Sequence, residues 1–315
     1  MNTFLVLTPS SYTTVQDNGR YGYQQMGVPV SGALDLFSFK IANFLVGNPE
    51  GCAGLEVSIA GPRLAVLKEA DVSLAGADME AKLNSKPVEP WTSFRVTPGD
   101  VLSFYQVRSG CRAYMAVTGG IDTPEVMGSR ATYAGGRFGG YHGRPLKKGD
   151  ILKRGKGRLL NSPKHLHSEY RPRYLSEIVL RAIAGPQDFY FREGFKIFFQ
   201  SVFSVSTRSD RMGYRLTGPE IVQREDMPQS IISEPSMPGG IQISPDRQPI
   251  ILLVEQTMGG YAKIATVIST DIPNIAQAIP GDSIQFEKVS LETAHVLYRE
   301  QQNRMLEIAK KLAEQ

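Results

Sequence analysis

Short runs of apolar and β-branched residues, bounded by Gly, Pro or Asp, dominate the pattern along the chain. In the first half these runs are Phe4–Leu7, Leu64–Leu67, Val72–Ala75, Val101–Tyr105 and Ala113–Val117, and in the second half they are Glu177–Ala182, Ile250–Glu255, Ala262–Ile268 and Ser283–Phe286. Runs of this length between turn residues are typical of β-strands. The 31 glycines and 20 prolines supply the turns that many short strands require. The pattern therefore predicts a mainly β fold.

Three segments have helical spacing instead. Apolar residues recur every three or four positions in Ala33–Val46, for which Ser31 is the expected N-cap and Gly47 the stop. Asp271–Ala278 is long enough for two turns. Leu291–Ala313 carries an apolar stripe opposite a face of Glu, Gln, Arg and Lys. Such a terminal helix either packs on its own domain or contacts a partner.

A Pro-Gly-Asp turn followed by an alternating strand occurs in both halves of the chain. Val96–Phe104 and Ala278–Phe286 share this pattern, and Lys148–Leu152 holds a shorter copy. Either the chain consists of two related β-barrel-type halves, or such turns recur by chance in a β protein. The fold expected is two barrel-type β domains with a few helices, one of them C-terminal.

A basic segment divides the chain. At roughly 100–200 residues per domain, 315 residues predict two domains. The best boundary is Lys153–Arg173, which has almost no apolar periodicity. Its cations resemble a nucleic-acid patch, but aromatic residues for base stacking are few, so a solvated linker is the better interpretation. We expect an N-terminal β domain over residues 1–160 and a C-terminal β domain with the terminal helix over 170–315.

Composition excludes several classes of function. A formal net charge of +4 gives little attraction for nucleic acid or an anionic membrane. No apolar run reaches the roughly 18 residues that span a bilayer, and Met1–Ser10 lacks the features of a signal peptide. Cys52 and Cys111 are too few and too far apart for a disulfide framework or a metal site. We expect a cytoplasmic protein without a metal ion.

Two polar clusters interrupt the β pattern near Asn18 and Asp210. Gln16–Tyr23 holds the Asn18 amide and the Arg20 guanidinium, whose planar fork suits a carboxylate. An ordinary hairpin turn is the alternative there. Ser206–Arg215 packs three arginines around Asp210, whose carboxylate can accept an N–H from an amide or urea. A surface run of charges is the alternative for this second cluster.

A third cluster, Glu255–Ile264, follows a very apolar run and contains Gln256, Thr257 and Lys263. Polar residues at the end of a buried strand are typical of binding sites. If Lys263 faces a pocket it can hold an oxyanion, and otherwise it faces solvent.

The glycine-rich stretch Gly119–Gly149 is either an ordered loop over a site or a structural β-arch. It is not a Walker A loop. No Gly-x-Ser-x-Gly elbow and no Cys–His pair indicates covalent hydrolysis.

Taken in order, these clusters resemble the allophanate hydrolase subunit 2 family, which includes KipA and the C subunits of bacterial 5-oxoprolinases. The segments that carry the resemblance are Gln16–Arg20, Gly27–Ala33, Ala42–Asn48, Ala116–Ile121, Gly128–Thr132, Ser209–Pro219, Gly240–Gln242, Gln248–Ile251, Gln256–Lys263 and Pro280–Asp282. No single motif is specific, but the ordered set is, and it covers nearly the whole chain.

The resemblance implies cyclophilin-like β-barrel-type domains and a place in a larger, heteromeric enzyme. In urea carboxylase a similar region belongs to the carboxyltransferase, where carboxybiotin hands its carboxyl group to urea. In bacterial 5-oxoprolinase, the B and C subunits work with the A subunit to open 5-oxoproline to glutamate using ATP. KipA instead pairs with KipI in the control of a kinase.

We therefore expect the C subunit of a 5-oxoprolinase, inactive alone, whose partners are the A subunit of that enzyme and a KipI-type protein that resembles its B subunit. This chain has no recognisable phosphate loop, so it is expected to bind no cofactor, with ATP used by a partner. One alternative is a carboxyltransferase subunit that acts on a urea-type or amide substrate and receives carboxybiotin from a carrier domain. Another is a KipA-like regulator that binds a KipI-like kinase inhibitor.

Each candidate site residue has an expected role in this interpretation. The expected catalytic residues, which we predict to share one cleft, are Asn18, Asp210 and Lys263. The expected substrate-binding residues are Arg20, Arg211, Gln256, Thr257 and Tyr214. Lys263 and Gln256 would polarise a carbonyl or stabilise an oxyanion, and the two arginines would hold a carboxylate.

Overall fold

The computed structural model describes all residues from Met1 to Gln315, and most of its regular structure is β. Contacts divide the chain into two compact units. Unit 1 consists of Met1–Arg20, Ser31–Tyr174 and Arg304–Gln315, and unit 2 consists of Tyr21–Val30 and Leu175–Asn303. The chain thus passes from one unit to the other after Arg20, Val30, Tyr174 and Asn303.

Unit 1 is built on two sheets. Its strands are β1 (Asn2–Thr8), β2 (Tyr12–Gln16), β3 (Gly54–Ser58), β4 (Arg63–Val66), β5 (Ala70–Asp78), β6 (Lys82–Leu83), β7 (Lys86–Pro87), β8 (Thr92–Val96), β9 (Val101–Ser103), β10 (Ser109–Val117) and β11 (Ile151–Lys153). One sheet has the order β11-β1-β4-β9-β6-β7, and the other has the order β2-β3-β10-β5-β8. Apolar side chains from both sheets, among them Phe4, Leu64, Leu55 and Met115, form one buried core.

Two helices cover a second core in unit 1. These are α1 (Leu36–Leu45) and the end of the terminal helix α4 (Leu291–Glu314). Phe39 and Ile41 of α1 are buried in the same cluster as Ile308 and Leu312 of α4. The prediction that the terminal helix packs wholly within the C-terminal domain is therefore wrong for its last turns, because their apolar side chains are buried in unit 1.

Unit 2 contains a closed barrel. Its strands are β12 (Glu177–Ala184), β13 (Val202–Val205), β14 (Gly213–Thr217), β15 (Glu234–Pro235), β16 (Gly240–Ile243), β17 (Pro249–Leu252), β18 (Met258–Gly259), β19 (Lys263–Val267) and β20 (Ser283–Lys288), and its other helices are α2 (Glu193–Gln200) and α3 (Ile272–Ala276). The barrel order is β12-β19-β16-β17-β14-β13-β20, closed by the parallel pair β12–β20. Strands β15 and β18 form a separate two-stranded ribbon that is not part of the barrel.

The predicted mainly β fold, with a barrel, few helices and a C-terminal helix, is confirmed. The closed barrel lies in unit 2, whereas the strands of unit 1 form the two sheets described above. Two details differ from the prediction. Asp35, and not Ser31, caps α1, because its carboxylate accepts the Ser38 N–H at 3.0 Å. The sequence pattern also missed α2, whose Phe198 ring stacks on Phe286.

The repeated Gly-Asp turn has one geometry at all three positions. In each turn the Asp carboxylate accepts the backbone N–H three residues earlier, and the pairs are Thr97–Asp100 (2.7 Å), Lys147–Asp150 (2.7 Å) and Ile279–Asp282 (2.8 Å). The glycine before each Asp has a φ between 90° and 98°, which other residues rarely adopt. Each turn also exchanges two backbone hydrogen bonds with a valine of a neighbouring strand, namely Val66, Val6 or Val205.

The basic segment Lys153–Arg173 is packed along unit 1. Arg154 is buried, and its guanidinium donates to the carbonyl oxygen of Thr118 at 3.3 Å. The Lys164 ammonium donates to the carbonyl oxygen of Leu312 at 2.5 Å. The prediction of a solvated linker is therefore wrong, and the expected domain ranges 1–160 and 170–315 differ from the units accordingly. No helix of the chain combines the length and the apolarity that crossing a membrane requires.

Candidate active site

Lys263 is held inside unit 2 by the barrel itself. It is the first residue of β19 and pairs with Gln242 of β16, which is also buried. Lys263 is 5% exposed. Its ammonium donates to Oε1 of Glu234 at 2.6 Å. A lysine so enclosed needs such a partner, because burying an unpaired charge is costly.

Glu234 and Gln187 complete the immediate surroundings of Lys263. The Gln187 amide nitrogen donates to Oε1 of Glu234 at 3.2 Å, and the Gln187 amide oxygen accepts the backbone N–H of Lys263 at 3.0 Å. The hydrogen bond from Lys263 lowers the pKa of the Glu234 carboxyl, against a smaller opposing effect of burial. The carboxylate is thus held ionised opposite the ammonium, and Gln187 fixes both residues.

Two buried polar atoms beside this group have no hydrogen-bond partner. They are Nε2 of Gln242 and Oγ of Ser236, and both residues are 3% exposed. Buried polar groups in native proteins are almost always paired, so each unpaired atom calls for a ligand or water. A Cβ on Gly259 would lie 2.5 Å from Nε2 of Gln242, so the backbone at Gly259 packs closely against this amide.

The segment 255–259 connects this group to the Arg211 cluster. Nε of Arg211 donates to Oε1 of Glu255 at 2.6 Å, and both side chains are mostly buried. Thr257 then accepts the Ser236 N–H through its carbonyl oxygen at 2.9 Å. The Gln256 amide donates to the Met258 carbonyl oxygen at 2.5 Å. A continuous set of contacts therefore runs from Arg211 to Lys263 within unit 2.

Asp210 lies just before β14, and Tyr214 is the second residue of that strand. Oδ1 of Asp210 accepts the N–H groups of Met212 at 2.8 Å and Gly213 at 3.2 Å, while the residue itself is exposed. The buried Tyr214 hydroxyl donates to the carbonyl oxygen of Ala278 at 3.1 Å. Asp210 and Lys263 are not joined by a hydrogen bond or ion pair, and each has its own partners.

Asn18 and Arg20 belong to unit 1. Arg20 has no exposed surface, and its guanidinium donates to the carbonyl oxygens of Val126 at 2.8 Å and Ala131 at 2.9 Å. These bonds tie Arg20 to the glycine-rich stretch, whereas its buried Nη1 has no hydrogen-bond partner, so its contact with a carboxylate stays a prediction. Oδ1 of Asn18 is buried without a partner. That Asn18 shares a cleft with Asp210 and Lys263 stays a prediction.

The predicted site residues did not include Glu234, Gln187, Ser236 or Gln242. Glu234 and Gln187 are 29 and 76 positions from Lys263 and stand outside any glycine-flanked polar cluster. Only the Gly240–Gln242 motif gave a signal for Gln242. Together, the ammonium of Lys263 and the Gln242 and Ser236 donors can bind a carbonyl or carboxylate oxygen, which makes this unit 2 group the candidate site.

Comparisons with known proteins agree with the resemblance seen in the sequence. Residues 26–288 match the family model "Carboxyltransferase domain, subdomain A and B". The chain is 37% identical to the C subunit of 5-oxoprolinase from Escherichia coli (strain K12), over 98% of both proteins. It is 35% identical to the urea amidolyase of Lachancea kluyveri, over 95% of this chain but only 17% of that protein.

A solved structure gives the same relationship in three dimensions. The K. lactis urea amidolyase matches 98% of this chain with a TM-score of 0.91 and 32% sequence identity, and this chain covers 20% of that protein. Family model, sequence relatives and fold therefore coincide: the chain belongs to the carboxyltransferase domain family, subdomains A and B.

Proposed function

We propose that this chain is the C subunit of an ATP-dependent 5-oxoprolinase and helps convert 5-oxoproline to glutamate with the A and B subunits. The observation that carries this proposal is the end-to-end match with the Escherichia coli C subunit, which extends over 98% of each chain. A second protein of this kind, the C subunit from Haemophilus influenzae, is 32% identical over 93% of this chain and 94% of its own length. ATP would be used by a partner subunit.

The unit 2 group suits an amide substrate such as a lactam. A carbonyl oxygen placed at the Gln242 and Ser236 donors would satisfy two atoms that otherwise lack a partner. The Lys263 ammonium would then face the negative charge that develops on that oxygen when the amide is attacked. Glu234 would keep the ammonium in place and could accept an N–H from the substrate.

An exposed apolar surface next to this group supports a protein partner. Around the β15–β18 ribbon, Ile232 is 93% exposed, Met237 61% and Met258 46%. The 3₁₀ turn containing Met26 adjoins this ribbon, since Gln24 donates to the carbonyl oxygen of Ser236. Clustered exposed apolar side chains often mark an interaction site. We propose that a KipI-type protein, the counterpart of the 5-oxoprolinase B subunit, covers this surface.

A carboxyltransferase subunit is the second candidate, supported by the 0.91 TM-score with the K. lactis urea amidolyase. In that case carboxybiotin, delivered by a carrier domain, would transfer its carboxyl group to a urea-type or amide substrate. The same donors would hold the carboxylate oxygens, because an ammonium and two neutral donors suit either group.

Reconstitution distinguishes the two candidates. The purified chain is combined with the A and B subunits of Escherichia coli 5-oxoprolinase, and 5-oxoproline-dependent release of ADP and glutamate is measured. We expect turnover in the three-protein mixture and none from this chain alone. Failure of the mixture, together with carboxylation of urea when a biotin carrier and biotin carboxylase are supplied, would contradict the oxoprolinase proposal and favour the carboxyltransferase.

A further inference from the structure

Unit 1 contains a cavity where the glycine-rich stretch Gly119–Gly149 lies against strand β11. Its volume is about 490 Å³, within the range of small-molecule sites. Apolar walls come from Val126, Phe138 and Tyr141. The polar lining includes Thr123 and Arg137. None of these residues belongs to the unit 2 group described above.

Cationic side chains outnumber acidic ones around this cavity. Arg137 and Lys153 line it, against the single carboxylate of Asp122. The carboxylate of Asp122 lies 3.8 Å from the guanidinium of Arg130, which also pairs with Glu125. The side chains of Arg137 and Lys153 make no hydrogen bond or ion pair within the protein, and both residues are exposed. Two free cations at one cavity favour an anionic ligand.

Thr123 gives an independent indication of a ligand. The residue is 7% exposed, it lines the cavity, and its hydroxyl has no hydrogen-bond partner. The Asp122 N–H donates to the Lys153 carbonyl oxygen at 2.8 Å, and Thr123 and Lys153 both line the cavity. A hydroxyl donor and an ammonium in one cavity suit a carboxylate or phosphate oxygen.

The cavity is preformed, because its lining backbone has little freedom. Arg20 fixes two of its walls: it donates to the Val126 carbonyl oxygen, and its guanidinium lies 4.9 Å from the centre of the Phe138 ring. A Cβ on Gly139 would lie 2.1 Å from the Ala131 carbonyl oxygen. Arg137 has a φ of 58°, an unusual conformation that tends to persist at functional sites.

We infer that this cavity binds a small planar organic anion, with the anionic group at Thr123, Arg137 and Lys153 and the planar body against Phe138 and Tyr141. Aromatic walls suit a flat ring, and a planar guanidinium suits a carboxylate or phosphate. The cavity is a binding site separate from the unit 2 group, so its occupancy does not depend on the proposed reaction.

The test is a ligand-observed NMR titration of the whole purified chain with benzoate, phenyl phosphate and benzamide. Benzamide has the shape of benzoate without its charge. We expect saturable binding of benzoate or phenyl phosphate, and at least about tenfold weaker binding of benzamide. The two anions distinguish a carboxylate site from a phosphate site. Equal binding of benzamide, or no saturable binding of either anion, would overturn the inference.

Three substitutions locate the binding. Arg137→Asn removes the guanidinium and places a residue that tolerates positive φ at this position. Lys153→Gln removes a charge, and Thr123→Val removes a hydroxyl, each with little change in shape. Each should weaken binding of the preferred anion by roughly threefold to tenfold at unchanged melting temperature. Lys148→Gln removes an exposed lysine outside the cavity and is the matched control. Unaltered binding in Arg137→Asn and Lys153→Gln, or an equal loss in the control, would show that the anion binds elsewhere.

Discussion

The ammonium of Lys263 lies 2.6 Å from Oε1 of Glu234, in a pair whose two members differ in exposure. The Lys263 side chain is 7% exposed and the Glu234 side chain 39%. Water can therefore solvate the Glu234 carboxylate directly, whereas the Lys263 ammonium depends on Glu234 as its partner. A substrate that reaches this pair meets the more exposed carboxylate first, with the lysine behind it.

Replacing Lys263 by Met should preserve the fold and reduce turnover. One donor to an oxyanion contributes roughly 2.7–4 kcal/mol, so kcat in the reconstituted three-protein enzyme should fall by about two to three orders of magnitude. Lys196→Met is the control, because Lys196 is an exposed residue of α2 paired only with Glu193. Wild-type turnover in Lys263→Met, with the complex intact, would remove Lys263 from the chemistry.

Acid stability should report the Lys263–Glu234 hydrogen bond. The bond lowers the pKa of Glu234 below its ordinary 4.5. Its contribution is therefore complete above about pH 4.5 and is lost as the pH falls through the lowered folded pKa. Because Glu234 is partly exposed, we expect less than about 1 kcal/mol. Urea unfolding from pH 6 to pH 3.5 should show a smaller loss of stability in Glu234→Gln than in the wild type, whereas equal losses would contradict the pairing.

Arg20→Met tests whether Arg20 supports structure or binds substrate. The substitution leaves the buried carbonyl oxygen of Ala131 without a donor, and it leaves that of Val126 with only the Ser129 N–H at 3.3 Å. Hydrogen bonds to a charged group contribute about 1.5–3 kcal/mol each. We expect the free energy of unfolding to fall by roughly 2–5 kcal/mol, measured by denaturant titration. Arg63→Met, at an exposed arginine of β4, should change it by less than about 0.5 kcal/mol. Unchanged stability with a raised KM would instead restore the predicted carboxylate contact.

The end of α4 offers a matched pair of substitutions. Ile308 is 1% exposed within unit 1, whereas Leu306 on the same helix is 69% exposed. Ile308→Ala should lower stability by about 2–5 kcal/mol through the lost burial and the cavity it leaves. Leu306→Ala should change it by less than about 0.5 kcal/mol. Similar melting curves for the two variants would mean that this end of the helix does not pack in solution.

Association with a KipI-type partner should depend on the apolar surface around the β15–β18 ribbon. Stable interfaces bury about 1,200–2,000 Å² in total, so the two co-expressed proteins should elute together in size-exclusion chromatography at micromolar concentration. Ile232→Asp introduces a charge at the most exposed apolar residue of that surface and should separate them. Val202→Asp, at an exposed valine of β13, is the control and should leave the two proteins eluting together. Co-elution of the Ile232→Asp variant would place the interface elsewhere.

Local chemistry explains which parts of the fold were predictable. Strands such as β1 and β4 follow apolar runs between turn residues, and both were predicted close to their bounds. The cap of α1 was misassigned because Ser31 and Asp35 are both good N-cap residues, and the choice depends on where the helix starts in three dimensions. Helix α2 was missed because it is short, and its packing on Phe286 comes from a distant strand.

The candidate site was only half predictable for a similar reason. Lys263 stood out because a lysine within an apolar strand is unusual, and its burial agrees with that signal. Its partners Glu234 and Gln187 come from segments whose patterns carry no sign of a site. The β15–β18 ribbon and the segment after β12 bring them to Lys263 through contacts distant in sequence, and no local rule specifies that pairing. Arg20 shows a different limit, because the sequence gives no sign that this arginine is buried and donates to the carbonyl oxygens of Val126 and Ala131.

The interleaved order of the two units limits how the gene can be divided. Residues 21–30 belong to unit 2, while the segments before and after them belong to unit 1, and residues 304–315 return to unit 1 at the other end. A fragment that stops at Tyr174 lacks Ile308 and Leu312 from the second core of unit 1. A fragment that starts at Leu175 lacks Gln24 and its hydrogen bond to Ser236. Neither fragment contains every segment of either unit. We therefore expect the two units to be encoded together, because a break between residues 174 and 175 would leave both units incomplete.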